Sequence, residues 1–155
     1  MGQQQKQQKI ALVAAPKRQR GIVCRAADQY DPSPVFRRAR EYCQRHYSEW
    51  LILSVRHRLL SPHQVIGPGE LTFNTLSGEE RAAWIECVAA HLRARYERSA
   101  DPLAFVLYTS QRHADLLMRA APDLTFELPL SGLRLRERIE WYDERLRLQP
   151  RVLAR

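Results

Sequence analysis

The chain has 155 residues, 45% hydrophobic and 27% charged, with 25 basic and 17 acidic side chains and a formal net charge of +8. This composition supports one domain with a sizeable core, and it excludes a disordered chain and a small disulfide scaffold. No apolar run approaches the roughly 18 residues that a membrane span requires, so we expect no membrane partner.

The first half of the chain predicts two buried strands with one helix between them. The run KIALVAA, residues 9–15, is continuous and apolar, as is typical of a strand covered on both faces. The motif PSPVF opens a helix over about 35–47, and WLILSV, residues 50–55, predicts the second strand. The Pro- and Gly-rich stretch 61–75 predicts a long loop, a kind of segment that often carries function.

The second half continues the alternation of helix and strand. Ser77 followed by acids predicts a helix N-terminus, and LAFVLY predicts a third buried strand. The predicted elements are a helix to about residue 98, a strand over 103–108, a helix over 111–121, a strand over 126–130 and a final helix over 133–148.

Strands that alternate with helices of this length indicate an α/β fold. We predict a single three-layer domain with a small, mostly parallel sheet of about four strands, flanked by helices. The domain is expected to cover residues 9–150, between a flexible basic, Gln-rich tail at 1–8 and a C-terminal tail at 151–155.

Positive charge is concentrated at the start of the chain. The segment from Met1 to Ala27 has six basic and no acidic residues, leaving 19 basic against 17 acidic residues after it. Such a field favours DNA as the partner, although the preference for Arg over Lys is also typical of a GC-rich genome. The predicted contacts to the DNA backbone are Lys17, Arg18, Arg20, Arg25, Arg37 and Arg38.

Cofactor and metal motifs are missing from the sequence. The three cysteines form no CxxC pair, so we expect no disulfide framework, no metal site and a cytoplasmic location. The P-loop and GxGxxG patterns are absent, which disfavours nucleoside triphosphate hydrolysis and dinucleotide binding. The GxSxG pattern is also absent, which disfavours the nucleophile turn of α/β-hydrolases. We therefore expect no cofactor.

The carboxyl ends of the predicted strands nominate binding residues, because ligands of open parallel sheets bind beyond those ends. His57 is a candidate for acid, base or ligand-binding chemistry, or an ordinary satisfied polar residue. The hydroxyls there could equally be helix caps. The substrate-binding candidates at strand ends are Ser54, Arg56, Tyr108, Ser110 and Ser131.

The densest polar cluster lies between the first strand and its helix. Asp28 and Asp31 are candidate catalytic acids, and Tyr30 is a candidate for stacking on a base. Ser33 adds a hydroxyl, and the alternative is an ordinary Asx-Pro turn followed by a helix cap. Glu70, beside a Gly-Pro-Gly motif, is a third candidate acid or a solvated loop charge.

Three segments carry a family resemblance: AADQYDPSPVFRRAREYCQRH, WLILSVRHRLLSPHQVIGPGELT and LPLSGLRLRERIEWYDERL. Together they resemble small bacterial and phage α/β domains related to the YaaA peroxide-stress proteins. Two departures stand out: Ala15-Pro16-Lys17 replaces a Cys or Ser followed by Gly, and Arg58 stands where that family usually has Gly. The motif DPSPVF is also similar to a loop of uracil-DNA-glycosylase-like base-excision enzymes.

These features lead to three functional hypotheses. The first is a DNA base N-glycosylase that excises a normal or modified base and leaves an abasic site, in phage defence or DNA repair. The second, implied by the YaaA resemblance, is a DNA-binding stress protein without catalysis. The third is an N-glycoside hydrolase of nucleotides or deoxynucleosides. We expect a monomer in each case.

Overall fold

Seven strands and five α-helices follow one another in the part of the chain that the computed structural model describes, residues 7–148. The strands are β1 (Gln8–Ala14), β2 (Cys24–Arg25), β3 (Glu49–Ser54), β4 (Arg58–Leu60), β5 (Val65–Ile66), β6 (Leu103–Tyr108) and β7 (Thr125–Glu127). The helices are α1 (Ala26–Gln29), α2 (Pro34–His46), α3 (Gly78–Arg98), α4 (Gln111–Ala120) and α5 (Leu135–Leu148).

The main sheet has five strands in the order β4-β3-β1-β6-β7. β1 is parallel to both of its neighbours, β7 is parallel to β6, and β4 is antiparallel to β3. The predicted α/β class is therefore confirmed, with one strand more than expected. The extra strand, β4, has only three residues at the edge of the sheet, too few to produce a periodic sequence signal.

Both faces of β1 are buried, which explains its continuous apolar sequence. Ala11 and Val13 pack on one face, in the core that includes residues of α2 and α5. Ile10 and Leu12 pack on the other face, in the core that includes residues of α3 and α4. The alternation of side chains along a strand thus builds a three-layer structure from one segment.

Two helix starts follow the sequence prediction closely. Ser33 caps α2 by accepting a hydrogen bond from the Phe36 backbone N–H, and Pro34 occupies the first helical turn, where its missing N–H costs little. Ser77 and Glu80 form a reciprocal capping box at the start of α3.

The segments around the predicted 61–75 loop are more ordered than the sequence indicates. β5 lies inside that loop and pairs antiparallel with β2, which directly precedes the short helix α1. Gln8, expected in the N-terminal tail, is the first residue of β1 and pairs with Leu103. The rest of the predicted tails lies largely outside the described residues, as does Pro150, the expected end of the domain.

The strand order determines where a crevice forms. From β1 the chain moves to β3 on one side and then crosses to β6 on the other, so the order reverses at the junction of β1 and β6. The carboxyl ends of β1, β3 and β6 share one edge of the sheet, where ligands of such folds bind. No helix within residues 7–148 is long and apolar enough to cross a membrane.

Arg58 has a left-handed backbone conformation, with φ of 66°. It follows the tight turn between β3 and β4, and it is the only non-glycine residue with positive φ among those described. An L-residue with a Cβ is strained in this region, whereas glycine is not. The resemblance noted above places glycine at this position, and the backbone geometry supplies a physical reason for it.

Replacing Arg58 with glycine should therefore stabilise the protein. Relief of strain of about 1–3 kcal/mol, less the extra flexibility of glycine in the unfolded chain, about 0.5–1 kcal/mol, gives a gain of about 1 kcal/mol. Urea unfolding measures it. Arg58→Ala is the matched control, because it removes the same side chain and keeps the strain. An equal gain in both variants would contradict the explanation.

Candidate functional site

The Glu70 carboxylate is the centre of a hydrogen-bond cluster at the carboxyl end of β3. Its Oε2 accepts from the Tyr30 hydroxyl at 2.9 Å and from Ser54 Oγ at 3.0 Å. Its Oε1 accepts from the backbone N–H groups of Arg56 at 3.0 Å and Leu71 at 3.3 Å. We call Tyr30, Ser54 and Glu70 the edge cluster.

The loop that carries Glu70 is held close to the turn after β3. Arg56 Nη1 donates to the carbonyl oxygens of Pro68 and Gly69, each at 3.1 Å. Gly69 has φ of 124°, and a Cβ there would collide with the Arg56 guanidinium. The positive φ favours glycine at this position, and a side chain there would also displace the Arg56 guanidinium from the two carbonyls. The Gly-Pro-Gly motif therefore helps to place the Glu70 carboxylate.

The chemistry of the edge cluster is that of a fixed negative charge. Burial and the neighbouring Glu70 charge raise the pKa of Tyr30, so its hydroxyl remains protonated and donates to the carboxylate. Within residues 7–148, Glu70 forms no ion pair with a basic side chain. The carboxylate is therefore oriented by neutral donors, and its charge is not cancelled by a paired cation.

Asp28 and Asp31 have a different environment from the one expected of catalytic acids. Arg40 lies between them, 3.1 Å from Asp28 and 2.7 Å from Asp31. Arg25 and Arg20 complete the group, bonding to Asp28 and Asp31 respectively, each at 3.1 Å. Burial alone would raise the pKa of Asp28, but the bonds and charges of Arg25 and Arg40 lower it below its usual value.

Among the described residues, no side-chain hydrogen bond joins the two aspartates to the edge cluster; the carboxylates bond to Arg20, Arg25 and Arg40. Tyr30 lies between Asp28 and Asp31 in the sequence, but its side chain is fully buried. Its ring packs against Phe36 with the centroids 5.3 Å apart. Because that ring has no exposed face, Tyr30 acts through its hydroxyl and not as the expected platform for a base.

His57 adjoins the edge cluster. Its backbone N–H donates to Ser54 Oγ at 2.9 Å, which fixes the turn after β3. Its Nε2 is buried and has no hydrogen-bond partner among the described residues. A buried imidazole nitrogen without a partner is costly unless a water or ligand satisfies it, so His57 keeps its place as a binding candidate.

The expected cations divide into paired and unpaired groups. Arg20 and Arg25 are held by the aspartates, and Arg38 is bonded to Asp143 at 2.7 Å. The cations for which the described residues offer no salt bridge are Lys17, Arg18 and Arg37, and all three are exposed.

The loop that contains Lys17 and Arg18 is tied to the Glu70 loop. Gln19 Oε1 accepts from the Gly69 backbone N–H at 2.7 Å. The exposed cations after β1 and the Glu70 carboxylate therefore lie along one edge of the sheet, which places positive and negative side chains on two connected loops.

A cavity of about 190 Å³ opens at the junction of β1 and β6, where the strand order reverses. Ser33 of the α2 cap and Ser110 of the α4 cap both line it. Arg138 and Tyr142 of α5 also line it, and Phe36 lies between it and Tyr30 of the edge cluster. The cavity and the edge cluster thus occupy adjacent parts of the same sheet edge.

The remaining strand-end candidates contribute in unequal ways. Tyr108 lines the cavity, but its hydroxyl is hydrogen-bonded to that of Tyr47 at 2.6 Å and its ring is buried in the core. Ser131 Oγ donates to Gln111 Oε1 at 3.1 Å, beside the start of α4. Ser110 follows β6 directly and lines the cavity, as its position in the sequence predicts. The prediction that Ser131 ends a strand over 126–130 is wrong, because β7 is Thr125–Glu127.

Arg138 is a site residue that the sequence did not reveal. Its Nε donates to the Leu133 carbonyl at 3.1 Å and its Nη1 to the Thr109 carbonyl at 2.8 Å, which joins α5 to the end of β6. The one sequence signal is its spacing of four from Tyr142, which puts both residues on one helix face. Which strand that face meets depends on the fold.

Comparison with known proteins assigns residues 10–144 to a family of unknown function (DUF6884). The chain belongs to this family. No curated protein and no solved structure matches it. The family match adds no link to the YaaA or uracil-DNA-glycosylase groups, so both resemblances stay predictions. In this DUF6884 protein, the match spans β1 to α5 and includes the edge cluster and the cavity.

Tyr30→Phe tests the edge cluster in this DUF6884 protein. The variant keeps the ring and removes one donor to a charged acceptor, so we expect the free energy of unfolding to fall by about 1–2 kcal/mol. The 61–75 loop should also become more sensitive to protease. Tyr96→Phe, on the exposed side of α3, is the control and should change neither. Unaltered stability in Tyr30→Phe would show that the hydroxyl does not hold the loop.

Proposed function

We propose that this protein acts on DNA as a base N-glycosylase, with Glu70 as the carboxylate that stabilises the reacting sugar. The carrying observation is the hydrogen bond between Gln19 and Gly69, which links the exposed basic loop to the loop of Glu70. Phosphates that bind the loop would bring a nucleotide to the carboxylate.

The unpaired cations favour a polyanionic substrate. Lys17 and Arg18 follow β1 directly, and Arg37 lies in the first turns of α2, so all three flank the carboxyl edge of the sheet. A DNA backbone along this edge would replace the counterions of these side chains. Arg25 and Arg20, by contrast, are partly neutralised by aspartates, and they are secondary contacts in this proposal.

The role given to Glu70 is electrostatic. In glycosidic cleavage the C1′–N bond breaks, the base leaves with the bonding electron pair, and positive charge develops on the sugar. Water then adds its hydroxyl to C1′, and its proton neutralises the departing base. Because four donors already bind the Glu70 oxygens, the carboxylate acts through its oriented charge and not by abstracting a proton.

Asp28 and Asp31 have a supporting role in this proposal. Their ion pairs with Arg40 brace α1 against α2, and α1 leads directly into Tyr30. His57 Nε2 is buried and has no partner among the described residues, so it would bond the base or a water molecule once either displaces the groups that cover it.

DNA binding without catalysis is the second candidate, and one observation favours it. Each of the three acids is already engaged, the aspartates by arginines and Glu70 by neutral donors. An acid whose bonds are all internal can serve the fold alone. The two candidates share the basic loop and differ in whether the Glu70 charge acts on a sugar.

Formation of abasic sites separates the candidates. Duplex and single-stranded DNA containing normal, deaminated, alkylated or glucosylated bases would be incubated with the protein and cleaved with alkali. The proposal expects strand breaks on at least one substrate, with the rate reduced about 100-fold in Glu70→Gln, the typical effect of removing one preorganised electrostatic contact.

Two controls make this assay specific. Glu86→Gln, which removes an exposed carboxylate on α3, should leave the rate unchanged, and circular dichroism should show that Glu70→Gln remains folded. If every DNA stays intact with the native protein while DNA binding persists, the non-catalytic candidate is correct. A folded Glu70→Gln variant with full activity would remove Glu70 from the mechanism.

Salt dependence tests the basic loop. The slope of log K against log salt should fall by about 0.9 for each DNA phosphate that the protein no longer neutralises. Lys17→Ala and Arg18→Ala should each reduce the slope by about one, whereas Arg93→Ala, whose side chain is paired with Asp123 on another surface, should have little effect. Fluorescence anisotropy with a labelled duplex gives the slopes. Identical slopes in all variants would exclude this loop as the interface.

A further inference from the structure

The polar groups that line the cavity at the junction of β1 and β6 are mainly hydrogen-bond donors. No acidic side chain lines it, and its only charged lining residue is Arg138. Two of the guanidinium nitrogens donate to the backbone carbonyls of Leu133 and Thr109, and Nη2 has no hydrogen bond with any described residue. Arg138 also has no carboxylate partner within residues 7–148.

The hydroxyl of Tyr142 is a second unsatisfied donor at this cavity. The residue is only 1% exposed, and its hydroxyl forms no hydrogen bond within the described part of the chain. Among the described residues, the one side-chain polar atom that is closed to solvent and has no hydrogen bond is His57 Nε2. Because the Tyr142 hydroxyl also has no hydrogen bond, it must be accessible to solvent, and the cavity that its side chain lines gives that access. Burial, the largest cause, raises the pKa of Tyr142, so the group stays protonated and can donate.

Two serine hydroxyls add further donors. Ser33 Oγ and Ser110 Oγ each accept a backbone N–H at a helix start, from Phe36 and His113 respectively. Neither hydroxyl donates to a described residue, so the hydrogen of each is free for a ligand. The polar side of the cavity thus offers donors in excess, and a complementary ligand must bring acceptors.

The other side of the cavity is apolar and small. Phe36, Leu130 and the ring of Tyr142 line it, and all three are buried core residues. Its volume of about 190 Å³ corresponds to about six water molecules at about 30 Å³ each. This space suits one flat base, with one or two rings and little attached to them, and the apolar wall suits a flat face.

We propose that this cavity binds a nucleobase that carries ring carbonyl oxygens, with the carbonyls directed to Arg138 and Tyr142 and the ring against Phe36 and Leu130. The identification of the ligand as a base rests on the proposed function. The preference for carbonyl-bearing bases over bases with only amino groups rests on the excess of donors. Cavity and edge cluster would then divide the work, since one holds the base and the other stabilises the sugar.

Binding of free bases tests this directly. The probes are uracil and hypoxanthine, which carry carbonyls, unsubstituted pyrimidine and adenine, which carry none, and inorganic phosphate. In titrations followed by amide NMR shifts, we expect uracil and hypoxanthine to shift the signals of Thr109 and Ser110. Pyrimidine and adenine should bind at least tenfold more weakly, and phosphate should not compete with uracil.

Tyr142→Phe is the most informative variant, because the hydroxyl that it removes has no partner in the described protein. Its stability should match that of the native chain, while uracil affinity should fall about two- to tenfold, as for loss of one neutral hydrogen bond. Arg138→Met should lower the affinity about tenfold or more, although it also removes two bonds to backbone carbonyls. Tyr96→Phe is the control and should bind uracil normally.

The outcomes separate this inference from the proposed function. If uracil does not bind, if pyrimidine binds as well as uracil, or if Tyr142→Phe binds uracil normally, the inference is wrong even where abasic sites form. If no DNA yields abasic sites but uracil binds with the expected losses in Tyr142→Phe and Arg138→Met, the glycosylase proposal fails and the ligand class of the cavity stands.

Discussion

The burial of β1 on both faces, together with its pairing along both edges, is the constraint on which the rest of the structure depends. The strand is parallel to β3 and β6 over nearly its whole length, so its backbone groups are satisfied without water. Because both neighbours run in the same direction, the loops that follow all three strands emerge at one edge. The basic loop, the Glu70 loop and the cap of α4 meet there for that reason.

At this edge the acids are distinguished by their partners rather than by their residue type. Asp28 and Asp31 share Arg40, and such ion pairs bind one segment to another while they cancel charge. Glu70 is held by hydroxyl and backbone donors, which orient a carboxylate without neutralising it. A charge of this kind is suited to act on a cation that develops beside it.

The cavity beside Phe36 complements that negative charge. Within residues 7–148, Arg138 Nη2 and the Tyr142 hydroxyl are donors without an acceptor, and the Glu70 carboxylate has no paired cation. In the proposed function, this opposite polarity on neighbouring sites would hold an electron-rich leaving group next to an electron-poor sugar. The tie between Phe36 and Tyr30, with ring centroids 5.3 Å apart, keeps the two sites in a fixed relation.

Local sequence was sufficient for the longer elements, but it was insufficient for the short strands β2, β4 and β5 and for the site. The strands at 103–108 and near 50–55 and the Ser77 helix start follow from apolar runs and capping, which involve neighbouring residues only. The partnership of Tyr30 with Glu70 spans 40 residues, and Arg138 meets the end of β6 only because α5 packs on that face. Such contacts depend on strand order and loop path, which no local pattern encodes. The tertiary structure alone therefore decided which of the three candidate acids has no basic partner within residues 7–148.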